Sequence, residues 1–334
     1  MRASDSTESS TESHASRRQF LRQVAATAAC TAVPMVSPRT IRAADAPTGR
    51  QRTLRLAHLT DIHIQPQRGA ADGLTAALAH LHQLPDPPEL LINGGDAIMD
   101  ALATDRERTD VQWHHWRRVL ADHCPTRIEH CVGNHDVWGW DRAASGTTSE
   151  EPGWGKARCL EEFGLDRSYH SFEAGGWHFI VLDSIFPDDE NTYIGQLDEE
   201  QWGWLGDELN RVPAATPIAV VSHIPLLSVA MIEFEQHYLE RPRLRRSIVH
   251  SDARRIVERF RQHPNVKLCL SGHLHLVERI EYAGVTYLTT GAVSGNWWKG
   301  PHFHVAEGYG LLDLYNDGTF DTQYVVYGWQ ARGG

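Results

Sequence analysis

From residue 53 onward the chain repeats one pattern: a short apolar run, a polar cluster, then a stretch of helical spacing. The apolar runs fall at 54–59, 89–92, 128–132, 178–182, 218–221, 266–270 and 285–289, and several are rich in β-branched residues. Runs of this length and composition read as strands buried on both faces. Helical spacing lies between them at about 71–83, 108–122, 196–210 and 252–262. In the third of these, Trp202, Leu205 and Leu209 share one helix face. Strands alternating with helices predict an α/β layered fold. The end of the chain departs from this grammar: 310–315, then Asn316-Asp317-Gly318, then 319–327 reads as an antiparallel hairpin. Residues 137–170 set Trp138, Trp140 and Trp154 among Gly, Ser and Thr, the look of a long insertion or surface loop. No internal repeat is visible, and residues 53–329 are expected to form a single domain.

The polar clusters sit at the C-terminal ends of the apolar runs, where α/β sheets place their ligand sites. In chain order they are Asp61-Ile62-His63, Gly95-Asp96, Gly133-Asn134-His135-Asp136, Ser222-His223 and Gly272-His273-Leu274-His275. Taken singly, most have an ordinary explanation. The spacing of Asp61 and His63 puts both side chains on one side of an extended strand end, as a loop Asp beside a surface His also does. A Gly-Asp pair at a strand end usually makes a turn, and His223 reads as a buried, hydrogen-bonded histidine. Gly133-Asn134-His135-Asp136 is more specific, with an amide oxygen, an imidazole and a carboxylate in succession. His273 and His275 converge two imidazoles after Gly272. Together they point to metal. Oxygen and imidazole donors suit Zn, Fe or Mn, and the lack of thiolates argues against a structural Cys-type zinc site.

These blocks, in this order from Asp61 to His275, resemble the calcineurin-like metallophosphoesterase family, whose motifs are Asp-x-His, Gly-Asp, Gly-Asn-His-Asp/Glu, His and Gly-His-x-His. The resemblance implies a four-layer α-β-β-α sandwich, two mixed β-sheets flanked by helices, and a centre of two divalent or trivalent cations (Fe, Mn or Zn). It implies that Asp61, His63 and His275 hold one cation, that Asn134, His223 and His273 hold the other, and that Asp96 bridges them. It assigns His135 to the phosphate as general acid or charge stabiliser, with Asp136 orienting it. Two such cations generate a metal-bound hydroxide near neutral pH that attacks phosphorus in line. Purple acid phosphatases carry a Tyr three residues after the bridging Asp, and Met99 stands there instead. The full ligand set in one compact domain is similar to the cyclic-nucleotide and glycerophosphodiester phosphodiesterase branch, so a small phosphodiester is the expected substrate. A phosphomonoesterase or protein phosphatase on the same centre is the alternative, although Val137-Trp138-Gly139-Trp140 replaces the paired arginines usual in protein phosphatases. A non-catalytic metal-binding scaffold would normally have lost ligands, and every one is present.

Charge and the N-terminus refine the picture. The net charge is -11, with 20 His and 11 Trp, and no basic block stands out. A long nucleic acid is therefore not the expected partner, whereas an acidic protein can bind a small phosphate through bound cations. Ser16-Arg17-Arg18-Gln19-Phe20-Leu21, followed by a weakly apolar stretch at 24–36, resembles a twin-arginine (Tat) signal covering residues 1–46. That resemblance implies export by the Tat machinery to the periplasm or beyond, with no transmembrane anchor. The chain outside this segment carries Cys124, Cys131, Cys159 and Cys269, an even number that permits disulfides in an oxidising compartment. Trp138, Trp140, Trp297 and Trp298, just beyond the motifs, are expected either to wall the site or to pin loops to the sheets. His302 and His304 read as exposed loop histidines.

Overall fold

The computed structural model describes residues 49–188, 192–234 and 245–332. The twin-arginine segment, and the export expected from it, lies outside the described residues. Strands β1 (Arg52–Leu59), β2 (Leu90–Asn93) and β3 (Ile128–His130) run parallel, and the hairpin β12 (Gly308–Tyr315) and β13 (Phe320–Val326) joins antiparallel beside β1. The order of this sheet is β13-β12-β1-β2-β3. A second sheet, ordered β10-β11-β9-β8-β5-β4, has a parallel centre of β5 (Trp177–Leu182), β8 (Ile218–Ser222), β9 (Val266–Ser271) and β11 (Val285–Thr290). Antiparallel edges close it: β4 (His170–Ala174) and β10 (Val277–Tyr282). A small hairpin, β6 (Ile185–Asp188) with β7 (Thr192–Gly195), projects from the end of β5.

The core is arranged in layers. Leu56, Ile92 and Leu312 of the first sheet meet Phe179, Val221 and Leu270 of the second in one buried apolar sheet-to-sheet interface. The first sheet's other face packs on α1 (Ala70–His82), α2 (Arg106–His123) and α3 (Ala157–Phe163) through residues such as Leu74, Leu78, Trp113, Trp116 and Phe163. The second sheet's other face packs on α4 (Glu199–Arg211) and α5 (Ala253–Phe260) through Trp202, Leu205, Leu209, Ile256 and Phe260. This is the expected four-layer sandwich with two mixed sheets. Side-chain caps start two of the helices: Asp105 accepts from the Arg108 N–H at 2.8 Å and Asp198 from the Gln201 N–H at 2.7 Å. Among the described residues no helix is long and apolar enough to cross a membrane.

Residues 137–170 are not the surface loop their Gly/Ser/Thr content predicts. Trp138 and Trp140 are buried in the helix-side core, and the segment carries the one-turn helix Arg142–Ser145 and α3. Trp154 donates its indole N–H to the Gly139 carbonyl at 3.0 Å. Indole rings this large override the local loop chemistry once they have a core to enter. The strands β4 and β10 also escape the apolar-run reading, because as sheet edges they are mostly part-buried or exposed.

Candidate metal centre

All seven expected ligands meet where the C-terminal ends of the two sheets' parallel strands come together. The turns after β1, β2 and β3 deliver Asp61, His63, Asp96 and Asn134, while those after β8 and β9 deliver His223, His273 and His275. Three sets of ligand atoms lie within 4.8 Å of one another: Asp61, His63, His275; Asp96, His223, His273; and His63, Asp96, His135. Asp96 and His63 each belong to two sets, so the groups form one continuous centre. His63 Nε2 is 3.7 Å and His223 Nε2 3.2 Å from Asp96 Oδ2. His275 Nε2 lies 3.3 Å from Asp61 Oδ1 and 3.1 Å from His63 Nε2. Asn134 Oδ1 is 3.1 Å from His223 Nε2.

The donor set fits cations on its own terms. His275 turns Nδ1 to the Gly295 carbonyl at 2.5 Å, so its Nε2 presents a lone pair toward His63 Nε2 and Asp61. His223 turns Nδ1 to the Gly94 carbonyl at 2.9 Å, which leaves Nε2 aimed at two oxygens. A positive centre, proton or metal, must sit between such acceptors. His273 Nε2 lies 2.8 Å from the Ser247 carbonyl, leaving Nδ1 for a cation. At His223 the local charges favour a positive group, whereas burial pushes the His63 and His273 imidazoles down. Burial alone would lower the His223 imidazole, yet the Asp96 and Asp61 carboxylates lift it to about 9. Against the same burial, the surrounding imidazoles hold the Asp61 and Asp96 carboxyls well below the usual range.

The backbone is bent to make these approaches. Asp61, His63, Asp96, His273 and His275 all have positive φ, between 49° and 69°. Each such conformation costs about 1–3 kcal/mol outside glycine, so the surrounding fold must impose it. Glycine clears the crowded points. A Cβ on Gly95 (φ +100°) would stand 2.6 Å from His223 Nδ1. A Cβ on Gly133 would overlap the Asp96 backbone, and one on Gly272 would overlap Thr60 and Asp61. The sheets are also laced directly, since the His273 N–H donates to the Asp61 carboxylate at 2.9 Å.

His135 stands beside the ligands, with its side chain 26% exposed and its ring edge-on to His63 at 4.8 Å. Asp136 does not orient it. The Asp136 carboxylate is buried and accepts from the backbone N–H groups of Gly133, Asp96, Ala97 and Ile98 at 2.8–3.3 Å. A carboxylate ringed by amide donors stitches the β2 and β3 turns together and has no oxygen left for the imidazole. The carboxylate facing His135 Nδ1 is that of Asp100, at 3.9 Å, which the motif reading missed although it sits four residues after Asp96.

The tryptophans divide. Trp138, Trp140 and Trp298 are buried, and Trp298 donates its indole N–H to the His63 carbonyl at 3.1 Å. Trp297 instead lies half-buried against His275 and His63, with centroids 4.6 and 5.8 Å away. His302 is buried rather than exposed, 5.4 Å from the His275 ring, while His304 is exposed as expected. Cys124, Cys131, Cys159 and Cys269 are all free thiols, and burial pushes the Cys131, Cys159 and Cys269 thiols up.

Comparison with known proteins agrees with this geometry. The chain is 25% identical over 284 residues to a 3′,5′-cyclic-nucleotide phosphodiesterase of Nostoc sp., covering 81% of this chain and 91% of that protein. It is 28% identical over 200 residues to purple acid phosphatase 23 of Arabidopsis thaliana, covering 56% of this chain and 38% of that protein. A dimetal phosphatase from Danio rerio shares the fold, with a TM-score of 0.55 at 15% identity over 83% of this chain and all of that one. The profile of the calcineurin-like phosphoesterases matches residues 54–277, from the first strand through the last of the motif histidines, and the chain belongs to that family.

Proposed function

We propose that this protein hydrolyses small phosphodiesters, of the cyclic-nucleotide class, at a dinuclear metal centre. The observation that carries the reading is the position of Asp96, one carboxylate lying between His63 and His223 with a ligand set on either side. Asp61, His63 and His275 would hold one cation, Asn134, His223 and His273 the other, and Asp96 both. Cations bound there acidify water and offset charge on the phosphoryl oxygens. The chain's own residues do the rest. His135, partly open to solvent beside His63, stands where it can give a proton to the departing oxygen, with the Asp100 carboxylate 3.9 Å from its Nδ1 and not hydrogen-bonded to it. The diester preference is supported by the activity named for the Nostoc relative, which this chain matches over nearly its whole length. The Arabidopsis match favours a second reading, a phosphomonoesterase, over a shorter span, but Met99 lacks the tyrosine that such an enzyme would place there. Arg17-Arg18 supports a working location outside the cytoplasm.

The test is hydrolysis of bis-p-nitrophenyl phosphate, p-nitrophenyl phosphate and 3′,5′-cyclic AMP by protein of measured metal content. Diester turnover with close to two metals per chain is expected. Turnover of the monoester alone would replace the diesterase reading, and a metal-free, inactive protein would overturn both.

A further inference from the structure

Trp297 and Trp298 are placed differently. Trp298 is the anchor: fully buried, hydrogen-bonded to the His63 carbonyl and packed edge-on against Trp329 at 5.7 Å. Trp297 is held with φ +49°, a conformation that bulky residues rarely adopt. Its Nε1 finds no acceptor among the described residues, so no hydrogen bond holds the ring in place. Instead the indole lies tilted by 42° against His275 and by 52° against His63, with the Lys299 ammonium 5.9 Å over its ring. The aromatic cluster continues outward through His302, 5.7 Å from Trp297, to Phe303, 4.6 Å from His302. Phe303 is 52% exposed and has φ +49°, so a second apolar ring is held out into solvent beside His302. Trp297 is half-buried and Phe303 exposed, where Trp298 is fully buried.

We infer that Trp297, with Phe303 beyond it, is a stacking platform for the nucleobase of the substrate. This rests on the phosphodiesterase reading above and deepens it by naming the side chain that would recognise the base. A phosphate held by the metal ligands would place its nucleoside within reach of an aromatic wall beginning at His275 and His63. A planar base gains from an indole face whichever base it is, because every base has a π-face. The arrangement therefore predicts discrimination between nucleotides and sugar phosphates, with weak discrimination among bases.

The test reads binding rather than turnover, on the metal-loaded full chain. Dissociation constants for adenosine 5′-monophosphate and ribose 5-phosphate are measured by calorimetry for the wild type, Trp297→Leu and Trp297→Phe. The wild type should favour the nucleotide by about fivefold to a hundredfold, the range of base–aromatic stacking. That ratio should fall toward one in Trp297→Leu and be largely kept in Trp297→Phe, which retains an aromatic face. A wild-type ratio near one, a ratio unchanged in Trp297→Leu, or an equal fall in both variants would overturn the inference. Failure of the hydrolysis reading shows separately, as absent turnover of bis-p-nitrophenyl phosphate by the wild type.

Discussion

Replacing Trp298 tests whether its indole supports the site from behind. The ring is fully buried, its Nε1 bonds the carbonyl of the ligand His63, and its edge fills the space left by Gly73, where a Cβ would approach Trp298 Cε3 to 2.7 Å. Truncation to Ala leaves a cavity in a packed core, which for a tryptophan costs about 3–5 kcal/mol. Losing the hydrogen bond to His63 adds about 1 kcal/mol. The sum, roughly 5 kcal/mol, lowers the Tm by about 10 °C in a domain of this size. Trp298→Phe keeps most of the packing but no N–H, so its loss is smaller, about 2 kcal/mol and about 4 °C. The assay is thermal unfolding by circular dichroism at fixed metal concentration, since bound metal shifts the apparent Tm. Metal content should fall with the Ala variant, because the His63 carbonyl is freed. A fall of less than about 3 °C in Trp298→Ala would refute the reasoning, for it would mean the ring is not part of the packed core.

Asn134→Ala removes the amide oxygen that faces His223 at 3.1 Å, and bis-p-nitrophenyl phosphate turnover should drop at least about a hundredfold, with metal content moving toward one per chain; unchanged metal and activity would count against Asn134 as a ligand. Asp100→Ala should lower kcat about tenfold by removing the negative charge 3.9 Å from His135 Nδ1 while the metal content stays at the wild-type value, and no change in kcat would remove Asp100 from the site. Glu208 predicts a pH effect remote from the candidate metal centre. Burial opposes its charge, but hydrogen bonds from Arg211 and Ser171 prevail, and its carboxyl is held down at about 2 against 4.5. A depressed carboxyl stabilises the fold fully above pH 4.5, and that contribution is lost as pH falls through about 2. Glu208→Gln should therefore flatten the acid limb of the stability profile between these values, as urea titrations at stepped pH would show, and an acid limb identical to the wild type would contradict it.

What was legible in the chain follows from which physics is local. The buried parallel strands announce themselves as short apolar runs, and the candidate ligands lie at their ends because the topology puts sites there. Residue types at strand ends do not reveal where side chains point. Asp136 follows His135 and reads as its partner, yet its oxygens turn the other way, to four backbone amides of the β2 and β3 turns. Trp297 and Trp298 are adjacent and alike in sequence, but Trp298 is core while Trp297 lies half-buried against His275. The left-handed conformations of Asp61, His63, Asp96, His273 and His275 are invisible in composition, since none of these residues is glycine. Those strained turns explain one another once the lacing is seen. Asp136 ties the Asp96 turn to the Asn134 turn, the His273 N–H ties the second sheet to Asp61, and the Ser294 hydroxyl holds the Asp61 carbonyl at 2.7 Å. Because ligands from both sheets are locked to each other before any cation is considered, the fold delivers a preorganised negative pocket. A cation held there would meet side chains already fixed by contacts between the two sheets' ends.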